Sequence, residues 1–315
     1  MWGVMAACGG PDAMLTHLRR AALQCQVMSD HPVRAQRAES REVVELKQIR
    51  TNQPDLADAV EMQLGLVEMQ RRVQSRVPLP WIQVDASWLR DQQAAGRPIV
   101  RFADIPLEWS DFRLTFRQTA DILRRYEAIE PAEHEAILAL GRESNVLEPL
   151  VARWYTVTSG VDGEKGRDSL PANSPSGLEQ VLVLALRPFL ARCAESLIQR
   201  TDLSAWHHGH CPFCGWEPDF AVITPGAERH LICGRCLGQW PFAPHTCPFC
   251  ANDDRARIVS FTSRDGRYRV YACDSCRRYI KAYDARNAAR PVMVLVDSIA
   301  TLPLDAAAMQ RGYTG

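Results

Sequence analysis

Eight of the eleven cysteines lie between Cys211 and Cys276 as four C-x-x-C pairs, spaced C-x2-C-x18-C-x2-C-x10-C-x2-C-x22-C-x2-C. Two thiolates two residues apart can hold one ion because the backbone turns sharply between them. Amides of that turn then point at the sulfurs and stabilise their negative charge. Two such knuckles facing each other across a hairpin make a closed tetrahedral site with four thiolate ligands. Gly215 after the first pair and Gly238 after the second suit the turn, because glycine tolerates positive φ.

The tetrapeptide CPFC occurs twice, at Cys211 and again at Cys247. After each copy comes a strand–turn–strand signal that runs into the next cysteine pair. In the first it is Phe220–Thr224, a Pro225-Gly226 turn and His230–Ile232. In the second it is Ile258–Thr262, an Asp265-Gly266 turn and Tyr268–Ala272. This internal repeat assigns Cys211, Cys214, Cys233 and Cys236 to one ion, and Cys247, Cys250, Cys273 and Cys276 to another. An interleaved arrangement, first pair with third, is the alternative. The repeat speaks against it, because each copy contains its own ligand set.

Sulfur-only tetrahedral sites suit zinc or a single rubredoxin-type iron. Zinc would be structural, since small hairpins with little core depend on the ion to fold; iron could be structural or carry one electron. A closed four-cysteine site leaves no position for substrate, which disfavours hydrolytic metal catalysis. His207, His208, His210, His230 and His245 stand near the knuckles, but eight cysteines already complete two sites. There is no Walker loop, GxGxxG, GxSxG or HExxH motif. Cys8, Cys25 and Cys193 are isolated; Cys193, within an apolar stretch, reads as core.

Charge divides the two repeats. Residues 206–252 carry a net −1 and residues 253–290 a net +5, within a 315-residue chain of formal net charge zero. A basic face made by Arg255, Arg257, Arg267, Arg269, Arg277, Arg278 and Lys281 could meet an acidic partner or nucleic acid. Equally, arginine could offset thiolate charge and line solvated strand faces. Zero net charge makes nucleic acid the lesser partner.

The elements that must position these residues follow from composition and periodicity. Residues 14–205 read as a mostly helical domain. Leu56, Val60, Leu64 and Val67 recur at helical spacing after Pro54. Pro131 opens a short helix that Gly141 is expected to follow. Leu178–Arg200 is apolar nearly all round at its start and reads as central, with Pro188 expected to kink or divide it. Residues 158–177 read as a long loop. The fold class is therefore α+β: a disordered extension over 1–13, the helical domain, a ribbon over 206–246, a second over 247–290, and a tail over 291–315 with a short helix. The N-terminus lacks the basic and apolar regions of a secretory signal, and no apolar run is long enough to span a bilayer. A cytoplasmic protein with reduced thiols is the expectation, with Met14 as an alternative start. Whether two copies associate as a homodimer is left open.

The chain resembles the formate dehydrogenase accessory protein family, FdhE. The likeness rests on the helical first half, LRPFL at Leu186–Leu190, CPFCG at Cys211–Gly215, the four C-x-x-C pairs in order, and the tail DSIATLPLDAAAMQRGY at Asp297–Tyr313. It covers the chain from about residue 14 onward. The resemblance implies a cytoplasmic maturation factor, not an enzyme. It would bind the catalytic subunit of a respiratory formate dehydrogenase, with rubredoxin-like modules in which the eight cysteines are iron ligands. This chain departs from the family pattern in the stretch before Met14 and in stopping at Gly315, earlier than the longer tails of that family.

Overall fold

Pro188 does not divide the helix that contains it. Helix α7, Leu178–Ile198, is continuous, with buried residues on nearly every face. Proline has no N–H for the carbonyl four residues back, here that of Leu184. The side-chain amide of Gln70, itself buried, donates to that carbonyl at 2.9 Å. The lost backbone bond is replaced from a neighbouring helix, so the interior carbonyl is not left unpaired.

A computed structural model describes residues 39–161, 166 and 169–315. The extension 1–13, Met14, Cys8 and Cys25 lie outside the described residues, as does part of the 158–177 loop. Residues 41–315 form one unit. The helices before α7 are α1 (Arg41–Asn52), α2 (Ala57–Gln74), α3 (Ala86–Ala95), α4 (Trp109–Arg125), α5 (Pro131–Arg142) and α6 (Ser144–Ser159). Their starts follow local chemistry. The Asp85 side chain caps α3 by accepting from the amides of Ser87 and Trp88. A Pro131 start and a Glu130–Glu133 capping box open α5. Gly141 lies inside the last turn of α5, where a Cβ would stand 3.3 Å from the Phe116 ring. Its role is close helix approach, not a stop. No described helix is long and apolar enough to cross a membrane.

Each four-cysteine repeat supplies three strands, one more than the hairpin signals predict. The first gives β1 (Pro218–Ile223), β2 (Arg229–Cys233) and β3 (Gln239–Pro241). The second gives β4 (Ile258–Thr262), β5 (Tyr268–Cys273) and β6 (Tyr279–Asp284). All six join one sheet in the order β3-β2-β1-β6-β5-β4. Only the central contact, β1 with β6, is parallel; the others are antiparallel. Two ribbons that read as separate in sequence thus share a sheet, the first strand of one lying beside the last strand of the other.

Strand alternation sends the two sheet faces to different partners. Ala221, Leu231, Ile280 and Ala282 belong to the same core as α4, α6 and α7. Phe220, Val222, Ile232, Tyr268 and Tyr283 face the tail. The tail carries two short helices, α8 (Val294–Ala300) and α9 (Leu302–Gln310), separated at Thr301 where Pro303 starts the second. Val296 and Ile299 of α8 also pack with Val43 and Leu46 of α1 and Val60, Leu64 and Val67 of α2. The tail's acidic residues turn inward. Asp297 accepts from Arg290 at 2.6 Å, Tyr268 at 2.8 Å and the Met293 amide at 2.7 Å. Asp305 accepts from Lys281 and Tyr279, both at 2.6 Å.

Candidate metal centres

The four knuckles repeat one backbone device. In each, the carbonyl of the first cysteine accepts from the amide four residues on: Gly215 to Cys211 at 2.9 Å, Leu237 to Cys233 at 3.2 Å, Ala251 to Cys247 at 3.0 Å, and Arg277 to Cys273 at 2.8 Å. The amide of that first cysteine donates to the residue after: Trp216, Gly238, Asn252 and Arg278, at 2.8 to 2.9 Å. The residue that follows the second cysteine takes the left-handed conformation each time, with φ of 72° at Gly215, 60° at Leu237, 57° at Ala251 and 59° at Arg277.

Gly238, expected to provide the second knuckle's positive φ, does not; Leu237 does. Gly238 is needed for space. A Cβ there would stand 2.4 Å from the Phe213 ring and 3.2 Å from Cys236 Sγ. Its amide donates to Cys236 Sγ at 3.4 Å, and those of Arg235 and Cys236 donate to Cys233 Sγ at 3.3 and 3.4 Å. Peptide dipoles therefore favour negative sulfur in this knuckle.

Folding brings the cysteines together in two sets of four, Cys211, Cys214, Cys233, Cys236 and Cys247, Cys250, Cys273, Cys276, with the sulfurs of each set within 4.8 Å of one another. The interleaved alternative is not what forms. In the first set Cys211 lies 3.5 Å from Cys236 and Cys214 lies 3.4 Å from Cys233. In the second, Cys247–Cys276 and Cys250–Cys273 are both 3.7 Å. A tetrahedral site with metal–sulfur bonds of about 2.3 Å has sulfur–sulfur edges of about 3.8 Å. The two sets can hold two metal ions, and the all-sulfur donor set fits zinc or iron alike. Such an ion would cross-link the two knuckles of its ribbon.

Without an ion these thiols cannot all ionise. Burial pushes Cys211 and Cys236 well above the ordinary thiol range. Cys214 goes the other way: burial opposes its charge, but hydrogen bonding from the neighbouring cysteines and the Arg235 cation outweigh it. In the second set burial raises Cys247 and Cys276, while the amides of Cys276 and Ser275 help to lower Cys273.

The surroundings differ. The first set is buried throughout, inside the main core with Trp206, Phe213 and Trp240. Ile99 and Val100 donate to the carbonyls of Pro212 and Phe213 at 2.9 and 2.8 Å, so the helical half pairs with this knuckle's backbone. Arg187, from the LRPFL segment of α7, donates to the Gly234 carbonyl at 2.7 Å. In the second set Cys250 is exposed and Cys276 partly so. The nearby histidines stay out of both sets. His210 bonds the Gly96 carbonyl at 2.9 Å and His208 that of Gln93 at 3.2 Å, both meeting the Trp206 ring edge-on. Cys193 is buried in α7, its thiol pushed up to about 12 by that burial.

The basic residues of the second ribbon are not one free surface. Lys281 is buried on Asp305. Arg278 grips Glu217 with both guanidinium nitrogens, at 3.0 and 2.8 Å, and covers the Phe249 ring. Arg269 meets Asp284 at 3.1 Å and Arg277 meets Asp274 at 2.8 Å. Arg267 and Arg257 face Asp265 and Asp254 at 3.6 and 3.8 Å. Arg255 sits with Arg257 on the exposed turn Arg255–Arg257.

Sequence reasoning missed Arg235, which lies between two site-one cysteines and is fully buried. Its partners in the helical half, Thr158, Tyr155 and Trp154, are 77 or more residues away, and no local pattern marks them.

No protein-family model and no curated protein matches the chain. Among solved structures, the FdhE protein from Pseudomonas aeruginosa matches with a TM-score of 0.56 and 23% identity, over 87% of this chain and 91% of that one. The chain has the fold of that protein.

Proposed function

We propose that the protein is an accessory factor in the maturation of formate dehydrogenase, that it binds the catalytic subunit of that enzyme, and that it does so in the cytoplasm without being an enzyme itself. The observation that carries this reading is the pair of four-cysteine sites on one sheet within an FdhE fold. Cys211, Cys214, Cys233 and Cys236 would ligate one ion and Cys247, Cys250, Cys273 and Cys276 the other. Iron is the proposed metal, following the family resemblance; the sulfur donor set accommodates zinc equally. When bound, either metal supplies a cross-link between knuckles, and the protein's own residues do the rest. The amides of residues 235, 236 and 238 stabilise the sulfurs, and the helical half fixes the first ribbon.

A nucleic-acid reading loses support from the second ribbon, where most arginines already face a carboxylate of the same chain. Of the basic residues, those of the exposed turn Arg255–Arg257 are proposed to face the client; Arg267, Arg269, Arg277 and Arg278 already meet carboxylates of this chain, and Lys281 is excluded by its burial.

The test is metal analysis with a visible spectrum on protein purified anaerobically, together with co-purification of the formate dehydrogenase catalytic subunit. Two ions per chain and capture of that subunit are expected. Cells carrying serine at both cysteine sets should lose formate dehydrogenase activity. Normal activity in those cells overturns the reading.

A further inference from the structure

An arginine sealed inside a protein ordinarily meets a carboxylate, because burying an unpaired charge forfeits its hydration without compensation. Arg235 is fully buried and makes no ion pair with a carboxylate among the described residues. Its guanidinium sits in a box of three rings, 4.7 Å from the centroids of Tyr155 and Trp216 and 5.4 Å from that of Trp154. The box is held in place. The Trp154 indole donates to Glu179 at 3.1 Å, and the Tyr155 hydroxyl to the Val100 carbonyl at 2.9 Å. One Arg235 nitrogen donates to Thr158 Oγ1 at 3.0 Å and another to the carbonyl of Cys214; Nε has no partner. Ring faces attract a cation but do not neutralise it.

We propose that the counter-charge of Arg235 is the first metal centre, and that Arg235 is a charge-compensating, positioning residue specific to that centre. Four thiolates around a divalent ion leave a net charge of −2. At the first site that dianion is out of water, and Arg235 stands between two of its ligands, Cys233 and Cys236, bonded to the backbone of a third, Cys214. Arg187 approaches the same knuckle from α7 through the Gly234 carbonyl, and Asp219 lies near Arg187. The corresponding place in the second site holds Ser275, which is exposed and bonds Asn252 at 3.2 Å. Water can screen that centre. The buried arginine beside it, Arg229, spends its bonds on the carbonyls of Ala243 and Thr246.

The inference rests on the metal-binding part of the proposed function and not on the client. R235Q and R235K full-length chains separate charge from packing. Glutamine keeps donors without charge; lysine keeps charge without the fork. Metal per chain and release to an excess of chelator are the readouts. In R235Q the first-site ion should be absent or leave at least tenfold faster than in the wild type, with second-site release unchanged. R235K should hold two ions and release the first within a few-fold of wild type. Wild-type release in R235Q overturns the proposal. So does equal loss in both variants, which would make Arg235 a hydrogen-bonding bracket. Should R235Q fail to fold, R235K decides alone: retention supports the proposal and loss of the first ion overturns it. A wild-type chain that binds no metal is a different failure, that of the metal reading itself.

Discussion

At the first four-cysteine site every sulfur is buried, the least so being Cys236 at 2% exposure, whereas at the second Cys250 is open to solvent. The backbone around them is nearly superimposable in its bonding, with the same two hydrogen bonds and the same left-handed residue in each of four knuckles. One local device has been set in two environments. The first is welded to the helical half through Ile99, Val100, Arg187 and Arg235. The second lies on the outer ribbon, held by the tail, where Thr314 accepts from the Tyr279 amide at 2.9 Å and Tyr313 donates to Asp274 at 2.7 Å. Identical ligand chemistry should therefore have unequal structural consequences.

The widest expected gap is between loss of a ligand at each site. Cys214→Ser removes a sulfur from a centre that shares its core with α4, α6 and α7. Structural metal sites of this type contribute folding free energy directly, so the cost should exceed about 4 kcal/mol. Circular dichroism of the purified variant should show loss of cooperative unfolding across helices and sheet together. Cys250→Ser should loosen the outer ribbon while leaving the helical transition in place. Equal collapse in both variants would abolish the distinction between a core site and an outer one.

Next in size is a backbone contrast. Gly215 is left-handed, and a Cβ there would stand 2.0 Å from the Ser159 carbonyl oxygen at the end of α6. Gly215→Ala must push the knuckle away from that helix, at about 3 kcal/mol or more. Chemical denaturation should give this value, and the loss should fall on first-site metal retention and spare the second. A neutral Gly215→Ala would mean that the first knuckle is not seated on α6.

Much of this was legible from sequence, and the remainder was hidden for identifiable reasons. The cysteine sets were readable because the ligand spacing repeats and each copy is complete. Both hairpins were readable from Pro225-Gly226 and Asp265-Gly266. The third strands were not. Gln239–Pro241 has three residues and ends in proline, and Tyr279–Asp284 places Lys281 on a buried face. That lysine is tolerated because Asp305 arrives from the tail, a partner 24 positions on. The parallel contact of β1 with β6 joins residues about sixty apart and leaves no local signal. Pro188 failed to break α7 because Gln70 replaced the missing bond, and Gly238 looked like a turn residue although its small size was what mattered. In each instance a long-range partner overruled a sound local rule.

Exchange of metal offers a smaller but cleaner contrast. A chelator must reach the ligands, and only the second site has an exposed cysteine among its four. Release should be biphasic, with one ion leaving at least tenfold faster, a difference of about 1.4 kcal/mol in barrier. Alkylation of Cys250 by a thiol reagent should track the fast phase. A single phase releasing both ions would show that burial does not set lability here.

The smallest effect reverses in sign. Ala251 occupies in the third knuckle the place that Gly215 occupies in the first, with φ of 57° and an exposed side chain. A non-glycine residue in the left-handed region costs about 1–2 kcal/mol, partly offset by glycine's greater freedom in the unfolded chain. Ala251→Gly should therefore stabilise the outer ribbon by about 0.5–1 kcal/mol, read as a higher denaturation midpoint of the sheet and slower release from the second site. Arg277 also has positive φ, but its stacking on Tyr313 and its pair with Asp274 would be lost with the side chain, so it is the poorer probe. If Ala251→Gly destabilises the ribbon instead, the left-handed residue is not a strained point of the repeated knuckle, and the equivalence of the four knuckles fails at its most local feature.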